Sequence, residues 1–569
     1  MWQAPEKDLT AEIKKQKKQE DTYISFEPET VYDLLVAELG GQRQRYDLAL
    51  GNYLKQAHQT RDVGVAKRAY QVATFVNAKQ AALDAAMLWV ALAPDDINAL
   101  RASAFELMQN NHWEQAIKRM DQLLVYDQGV DLEDMAHYAK GLSEVNKNNV
   151  SAAFSRAIIA YPQNYSLSLA KITLLMQLKQ YQKALVICNK LIKKQAELVK
   201  ALALKGRLLS KMGRTVEAET VLEGGITQYP EQTFLRLLYA RVLIGNNKLD
   251  QAYSQFRVLL QQSPDNAEVI LSLGLISMDL GKEQKAENYL HRLLATGKSP
   301  NTAHFYLGKL YETQQRWADA KRYYSAVIPG EEFLMAQATM TKMLENTGQW
   351  LEAREQLKSA RKHYPEQAAN LFLLEGDALS KRREYDQALT LYNDALGHFP
   401  EDLSLLYNRA TTLGQLDRLA LMENDLRKIL ALQPNDLLAL NALGYILADQ
   451  NIHLEEASRL LNQAYEINKS DPMILDSLGW LEYRMGNLNK ALEILQEAYM
   501  KLPSEEIIAH LSEVLWMLGK KDEARALWLQ GMKGTPPHKI LRETINRLDK
   551  AFIAEYDRPV VKTELPSEN

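Results

Sequence analysis

The 569-residue sequence is 46% hydrophobic and 25% charged, the composition of a folded chain rich in helix formers, which excludes disorder over most of its length. Its 68 basic and 72 acidic side chains leave a formal net charge of −4, so no global field draws nucleic acid or anionic lipid. The single cysteine, Cys188, excludes an internal disulfide, no Cys/His cluster has zinc-ligand spacing, and no run of about 18 apolar residues exists to span a bilayer.

In chain order, residues 1–22 read as a charged linker whose Lys14, Lys15, Lys17 and Lys18 keep it solvated. Residues 23–60 place Tyr32, Leu34, Leu35, Leu39, Tyr46, Leu48 and Leu50 at mixed helical spacing, which predicts N-terminal helices that cap the next region or offer a partner surface.

From 61 to 536 one frame recurs with a period of about 34 residues. A small residue is followed by a second, usually Ala, 12 positions later, by a third after 7 more, and then by Pro. The clearest copies are Gly206, Ala218, Gly225, Pro230; Ala240, Ala252, Leu259, Pro264; Gly376, Ala388, Ala395, Pro400; and Gly479, Ala491, Ala498, Pro503. Counting looser copies, the template predicts about 12 to 14 helix pairs.

Close packing explains the pattern: small residues let helix A and helix B of a pair approach, and large ones such as Leu202, Leu209 and Leu222 fill the seam. Gly in Met212-Gly213-Arg214 and Met485-Gly486-Asn487 predicts a left-handed cap ending helix A, and the Pro after helix B stops that helix. Cys188 falls at a small buried position. Beyond the repeats, residues 537–556 carry Ile540, Leu541, Ile545, Leu548, Phe552 and Ile553 on one face, predicting a C-terminal cap helix. The tail 557–569 is polar with two prolines and reads as disordered.

No phosphate-binding GxxxxGK[ST] loop, GxGxxG fingerprint, HExxH pair or GxSxG elbow occurs. The 10 histidines are scattered without a legible triad. The expectation is a chain that is not an enzyme, takes no cofactor or metal, and works through protein partners.

The recurring frame resembles that of the tetratricopeptide-repeat (TPR) family over about residues 60 to 536. That resemblance implies an all-α solenoid, a right-handed superhelix whose A helices line a concave binding face. Residues 476–528 are similar to large bacterial outer-membrane TPR lipoproteins. The opening from Ser25, SFEPETVYDLLVAELGGQRQRYDLALGNYLKQAHQ, resembles those that partner a periplasmic carboxyl-terminal processing protease. The implied role is an adaptor that binds and activates the protease and delivers substrates such as peptidoglycan hydrolases. The implied location is the periplasm, on the outer membrane. Such lipoproteins carry an export signal and a lipidated cysteine, whereas this sequence opens on Met1-Trp2, so the lipid anchor would lie outside it. Alternatives are an assembly scaffold in envelope or polysaccharide biogenesis, and a cytoplasmic one. The Lys and Asn pattern of TPR domains that clamp cytosolic heat-shock chaperones is absent.

With the first small residue of a repeat as position 8, the resemblance implies that positions 2, 5, 9, 12 and 13 of helix A face the groove. Position 9 is Arg207, Arg241, Leu275, Lys309 and Lys342 in five successive repeats. Four cations there suit acidic peptides or a carboxylate terminus, or else pair with neighbours such as Glu268 and Glu312. Further along, the inner positions turn aromatic: Tyr407, Tyr445, Trp480, Tyr483 and Trp516. These are partner anchors or packing between repeats, with Trp516 read as core. Trp113, Trp317 and Trp350, where B helices begin, are read as structural.

Overall fold

The computed structural model describes residues 26–194, 198–533 and 539–556, and among these every element is a helix. The expected tether 1–22 and tail 557–569 lie outside the described residues. The chain divides into two compact units, Met1–Arg292 and Leu293–Asn569.

Both units are built from the same part, an A helix and a B helix packed antiparallel. In the first unit, pairs such as Thr233–Gly245 with Leu249–Gln262 follow one another. The second unit contains pairs such as Leu437–Asp449 with Leu454–Ile467, then Pro472–Arg484 with Leu488–Lys501, then Glu505–Met517 with Lys521–Gly531. From Val63 to Gly531 there are fourteen pairs among the described residues, inside the expected range.

From Val63 to Gly531, every A helix but Glu133–Tyr138 ends the same way. One residue turns left-handed, and the following N–H returns to a carbonyl five residues back, as Lys248 does to Leu243 at 2.8 Å. Glycine takes that place at Gly213 (φ 75°) and Gly486 (φ 84°), as expected. The same place is held at φ 55° to 63° by Asn77, Asn111, Lys179, Asn247, Gln315, Arg383, Asp417 and Asn451, so the closed helix ends outweigh the side-chain strain. Many A helices start on a polar cap: Asp62, Asp96, Asn266, Asp402, Asp436, Asp471 and Ser504 each accept a backbone N–H of the first turn.

The small residues do what close packing requires. A Cβ on Gly206 would lie 2.6 Å from Leu222 of its B helix, one on Gly308 2.6 Å from the Tyr324 ring, and one on Gly479 2.5 Å from Leu495. Ala218, Ala240, Ala252, Ala388 and Ala491, at the other small positions of the frame, are fully buried. Cys188 is buried too, with its thiol on the Ala201 carbonyl at 3.4 Å and its pKa pushed up to about 12 by burial.

Three regions depart from the plain frame. The helices Pro28–Gln42 and Tyr46–Thr60 form one more pair, whose Ala37, Tyr53 and Ala57 join the core of the pairs that follow. Between Asp127 and Ala160 helix A shrinks to Glu133–Tyr138 with a 3-10 turn, Ala139–Gly141, and helix B starts on the Ser143 cap without a left-handed residue. The expected single C-terminal helix is two, Lys539–Leu548 and Lys550–Tyr556. Asp549 interrupts them: its carboxylate caps the second through the Phe552 N–H at 3.2 Å and takes Arg525 at 2.6 Å. Leu541, Ile545 and Ile553 still turn inward, against a core that includes Trp528.

Candidate functional site

The face that the A helices turn away from their B helices is fixed by the small position. Because Gly206 and Gly308 point at the partner helix, the next residue is rotated by about 100° toward open space. Arg207, Arg241, Lys309 and Lys342 are accordingly all exposed. Two lie in the first unit and two in the second.

Their partners differ. Arg241 is spent on Glu268, each side chain remaining 56% exposed. Lys309 lies 5.6 Å from the centre of the Phe305 ring. Glu312, the other expected partner, instead accepts the Tyr324 hydroxyl at 2.6 Å. Arg207 and Lys342 make no hydrogen bond or ion pair among the described residues, so their charge is available to a ligand. Leu275, at the same position, is half-buried.

The aromatic positions of the second unit have another environment. Trp480 is 4% exposed, and its indole N–H donates to Asp449 at 3.0 Å. One face stacks on the His510 ring at 4.2 Å; Tyr483 is 4.8 Å away and the Arg484 guanidinium also lies 4.8 Å from the ring. His510 holds both Asp476 carboxylate oxygens at 3.0 Å through Nδ1, and its Nε2 faces the Tyr445 hydroxyl at 3.5 Å. Tyr483 donates to Glu513 at 2.9 Å, and Arg547 grips the same carboxylate at 2.8 and 2.6 Å.

The electrostatics follow from this enclosure. Burial works to lower the His510 pKa, but the Asp476 carboxylate, with Glu506 and Asp449 behind it, outweighs burial and holds it above the ordinary value of 6.5. Burial raises the Tyr445 phenol, and burial together with Glu513 pushes Tyr483 up to about 12. The Asp476–His510–Tyr445 line has the outline of a charge relay, yet it ends on a half-buried phenol that its surroundings keep protonated, not on an activated nucleophile.

Sequence reasoning thus named Tyr445, Trp480 and Tyr483, and the structure brings them together around His510 and Asp476, which it passed over. The available signal was local: His510 is the lone imidazole within EEIIAHLSEVLW, a segment otherwise patterned as core. Tyr407 stands apart, half-buried, its hydroxyl without a hydrogen-bond partner among the described residues and its pKa raised first by burial and then by Asp436. Trp516 packs on Trp528 at 5.2 Å. Trp350 is half-buried with the Arg382 guanidinium over it at 4.9 Å, and Trp317 is 38% exposed. Among the described residues no group of three or more His, Cys, Asp or Glu side chains could hold a metal ion, and no helix is long and apolar enough to cross a membrane.

The sequence profile of a tetratricopeptide-repeat family matches residues 102–165, 271–331 and 373–421, and that of the Psidin N-terminal TPR region matches 169–293. A TPR repeat-containing protein of Pseudomonas aeruginosa, PA4667, is 38% identical over 531 residues, covering 93% of this chain and 90% of its own. A TPR protein from Parabacteroides merdae aligns in structure with 40% of this chain and 88% of its own, at 19% identity and a TM-score of 0.33. The APC/C hetero-tetramer Cut9–Hcn1 aligns with 92% of this chain and 96% of its own, at 16% identity and a TM-score of 0.31. TPR repeats build scaffolds for protein–protein interaction, and on the near full-length likeness to the Pseudomonas protein this chain belongs to the tetratricopeptide-repeat proteins.

Proposed function

We propose that the chain is a non-enzymatic TPR adaptor that binds and activates a carboxyl-terminal processing protease and brings it substrates such as peptidoglycan hydrolases. The observation that carries the binding role is the pair of uncommitted cations, Arg207 and Lys342, at equivalent places in the repeat on exposed faces of A helices. A free guanidinium or ammonium on a rigid helix can accept an acidic segment or a terminal carboxylate without first breaking an internal ion pair. Tyr407 adds an amphipathic ring with an uncommitted hydroxyl.

The protease role rests on the resemblance of the segment opening at Ser25 and of residues 476–528 to the protease-partnering lipoproteins. With it goes a periplasmic location at the outer membrane. In that role catalysis belongs to the protease, and the scaffold raises the local concentration of substrate around it.

The test is a pull-down from a Gram-negative envelope extract with this chain as bait, followed by substrate turnover by any recovered protease with and without the bait. Recovery of a carboxyl-terminal processing protease whose turnover rises supports the adaptor. Recovery of polysaccharide-export or secretion machinery with no protease replaces it with an assembly scaffold.

A further inference from the structure

We infer that the first unit carries a second protein-docking site, separate from the A-helix cations. It is a groove between the B helices Glu144–Ala160 and Tyr181–Lys193 that takes an acidic peptide segment bearing apolar side chains.

The groove encloses about 740 Å³. Its walls are apolar: Ile158 and Ile159 on one side, Ile187 and Leu191 on the other, with Tyr165 at the entry to the intervening A helix. Ile159 is 81% exposed, which a lone surface side chain would explain, but here it faces further apolar groups across a cleft.

Every charge among the described residues lining the groove is positive. Lys171 rises from the A helix, and Lys190, Lys193 and Lys194 stand along the end of the second B helix, with no carboxylate among the described lining residues. Compensation of the helix dipole accounts for Lys190 and Lys193, which occupy the last turn. It does not account for Lys171, which sits mid-helix, half-buried, and among the described residues donates only to the Ser155 hydroxyl. Burial and the nearby Lys183 both lower its pKa, as expected for a cation lacking a counter-charge.

An incoming Glu or Asp would supply that counter-charge while its apolar neighbours cover the isoleucines. Peptide suits the site better than membrane, because a concave cleft can enclose a chain segment but a flat bilayer surface cannot enter it. The uncommitted Arg207 and Lys342 belong to A helices outside this groove, so the two sites stand or fall separately.

The test is fluorescence anisotropy on the full chain with short labelled peptides alternating Glu and Leu, Glu and Ser, or Lys and Leu. The Glu/Leu peptide is expected to bind. Either Ile159→Asp or the triple change Lys190→Glu, Lys193→Glu, Lys194→Glu is expected to weaken it about tenfold or more. Lys118→Glu, at an exposed cation outside both sites, is expected to leave it unchanged. All these positions are exposed, and unchanged circular dichroism would confirm that each variant folds. Equal binding by the groove variants, equal binding of the Glu/Ser peptide, or preferential binding of phosphatidylglycerol vesicles would overturn the inference.

Discussion

The repeats that carry Arg207 and Lys342 and the later repeats that carry Tyr445 and Trp480 hold these residues at the same place in the frame, with opposite consequences. Each follows the small residue that packs on helix B, so the backbone aims all of them at the same side of helix A. The cations keep their charge open to solvent. Trp480 is closed over by His510, Tyr483 and Arg484, with its N–H on Asp449. Repeat position therefore decides where a side chain starts, and the neighbouring repeat decides whether a partner can reach it. A polar or charged neighbour one repeat along, as at Asp449 and His510, turns an inner-face position into a staple between A helices.

The sharpest way to break that contrast is truncation. Trp480→Ala should lower the stability of the second unit by about 3–5 kcal/mol, because it opens a cavity among packed rings and leaves Asp449 with Arg484 as its remaining donor. Arg207→Ala should change stability by no more than about 0.5 kcal/mol. Urea unfolding followed by circular dichroism measures both, and comparable losses would show that the two environments do not differ.

The glycines provide the next test. Gly308→Ala drives a methyl group into the Tyr324 ring, a fully buried side chain, and should cost about 1–3 kcal/mol. Gly224 lies in the helix Thr215–Gln228 with nothing within 4 Å of its missing Cβ, so Gly224→Ala should instead stabilise by about 0.5–1 kcal/mol. Shifts of opposite sign in thermal midpoint are the expected outcome.

A subtler difference is pH dependence. His510 has its folded pKa above 6.5 because the Asp476 carboxylate outweighs burial. Protons are thus held more tightly by the folded than by the unfolded chain. The contribution of His510 is complete below about 6.5 and is lost as pH rises through the folded value. Urea midpoints of wild type should therefore fall over that alkaline window relative to His510→Gln. A constant difference between the two proteins from pH 6 to 9 would remove the buried charge pair from the account.

The architecture was legible in the sequence because its cause is local and repeated. Gly206, Gly376 and Gly479 lie opposite Leu222, Tyr392 and Leu495, and any larger residue there would push the pair apart. The break at Asp549 was not legible, since Ile545 and Ile553 keep the same apolar face across it and periodicity cannot see a helix restart. The shortened helix Glu133–Tyr138 escaped for a related reason: its apolar residues Met135 and Ala136 still reach the core although the frame around them is lost.

Of the candidate site, the repeat frame told which side of helix A position 9 starts on, and it did not tell exposure, which Trp480 lacks, or partnership. Arg241 and Arg207 look equivalent in sequence, but only Arg241 has a carboxylate, Glu268 in the first turn of the next A helix, to hold it. The aromatic cluster needed His510 and Asp476, 34 residues apart in sequence and 3.0 Å apart in space. Such a contact between successive A helices follows from the repeat period only once the rotation of each helix is known.

The most direct test of the account is the affinity of a purified carboxyl-terminal processing protease, loaded with a substrate it cannot cut, for three forms of this chain. The forms are wild type, Arg207→Glu with Lys342→Glu, and Tyr483→Phe, which loses one hydrogen bond of the closed cluster. The account predicts that the charge reversal weakens binding about tenfold while the fold is unchanged, and that Tyr483→Phe binds as wild type does. Loss of binding in Tyr483→Phe, with the charge reversal silent, would contradict it.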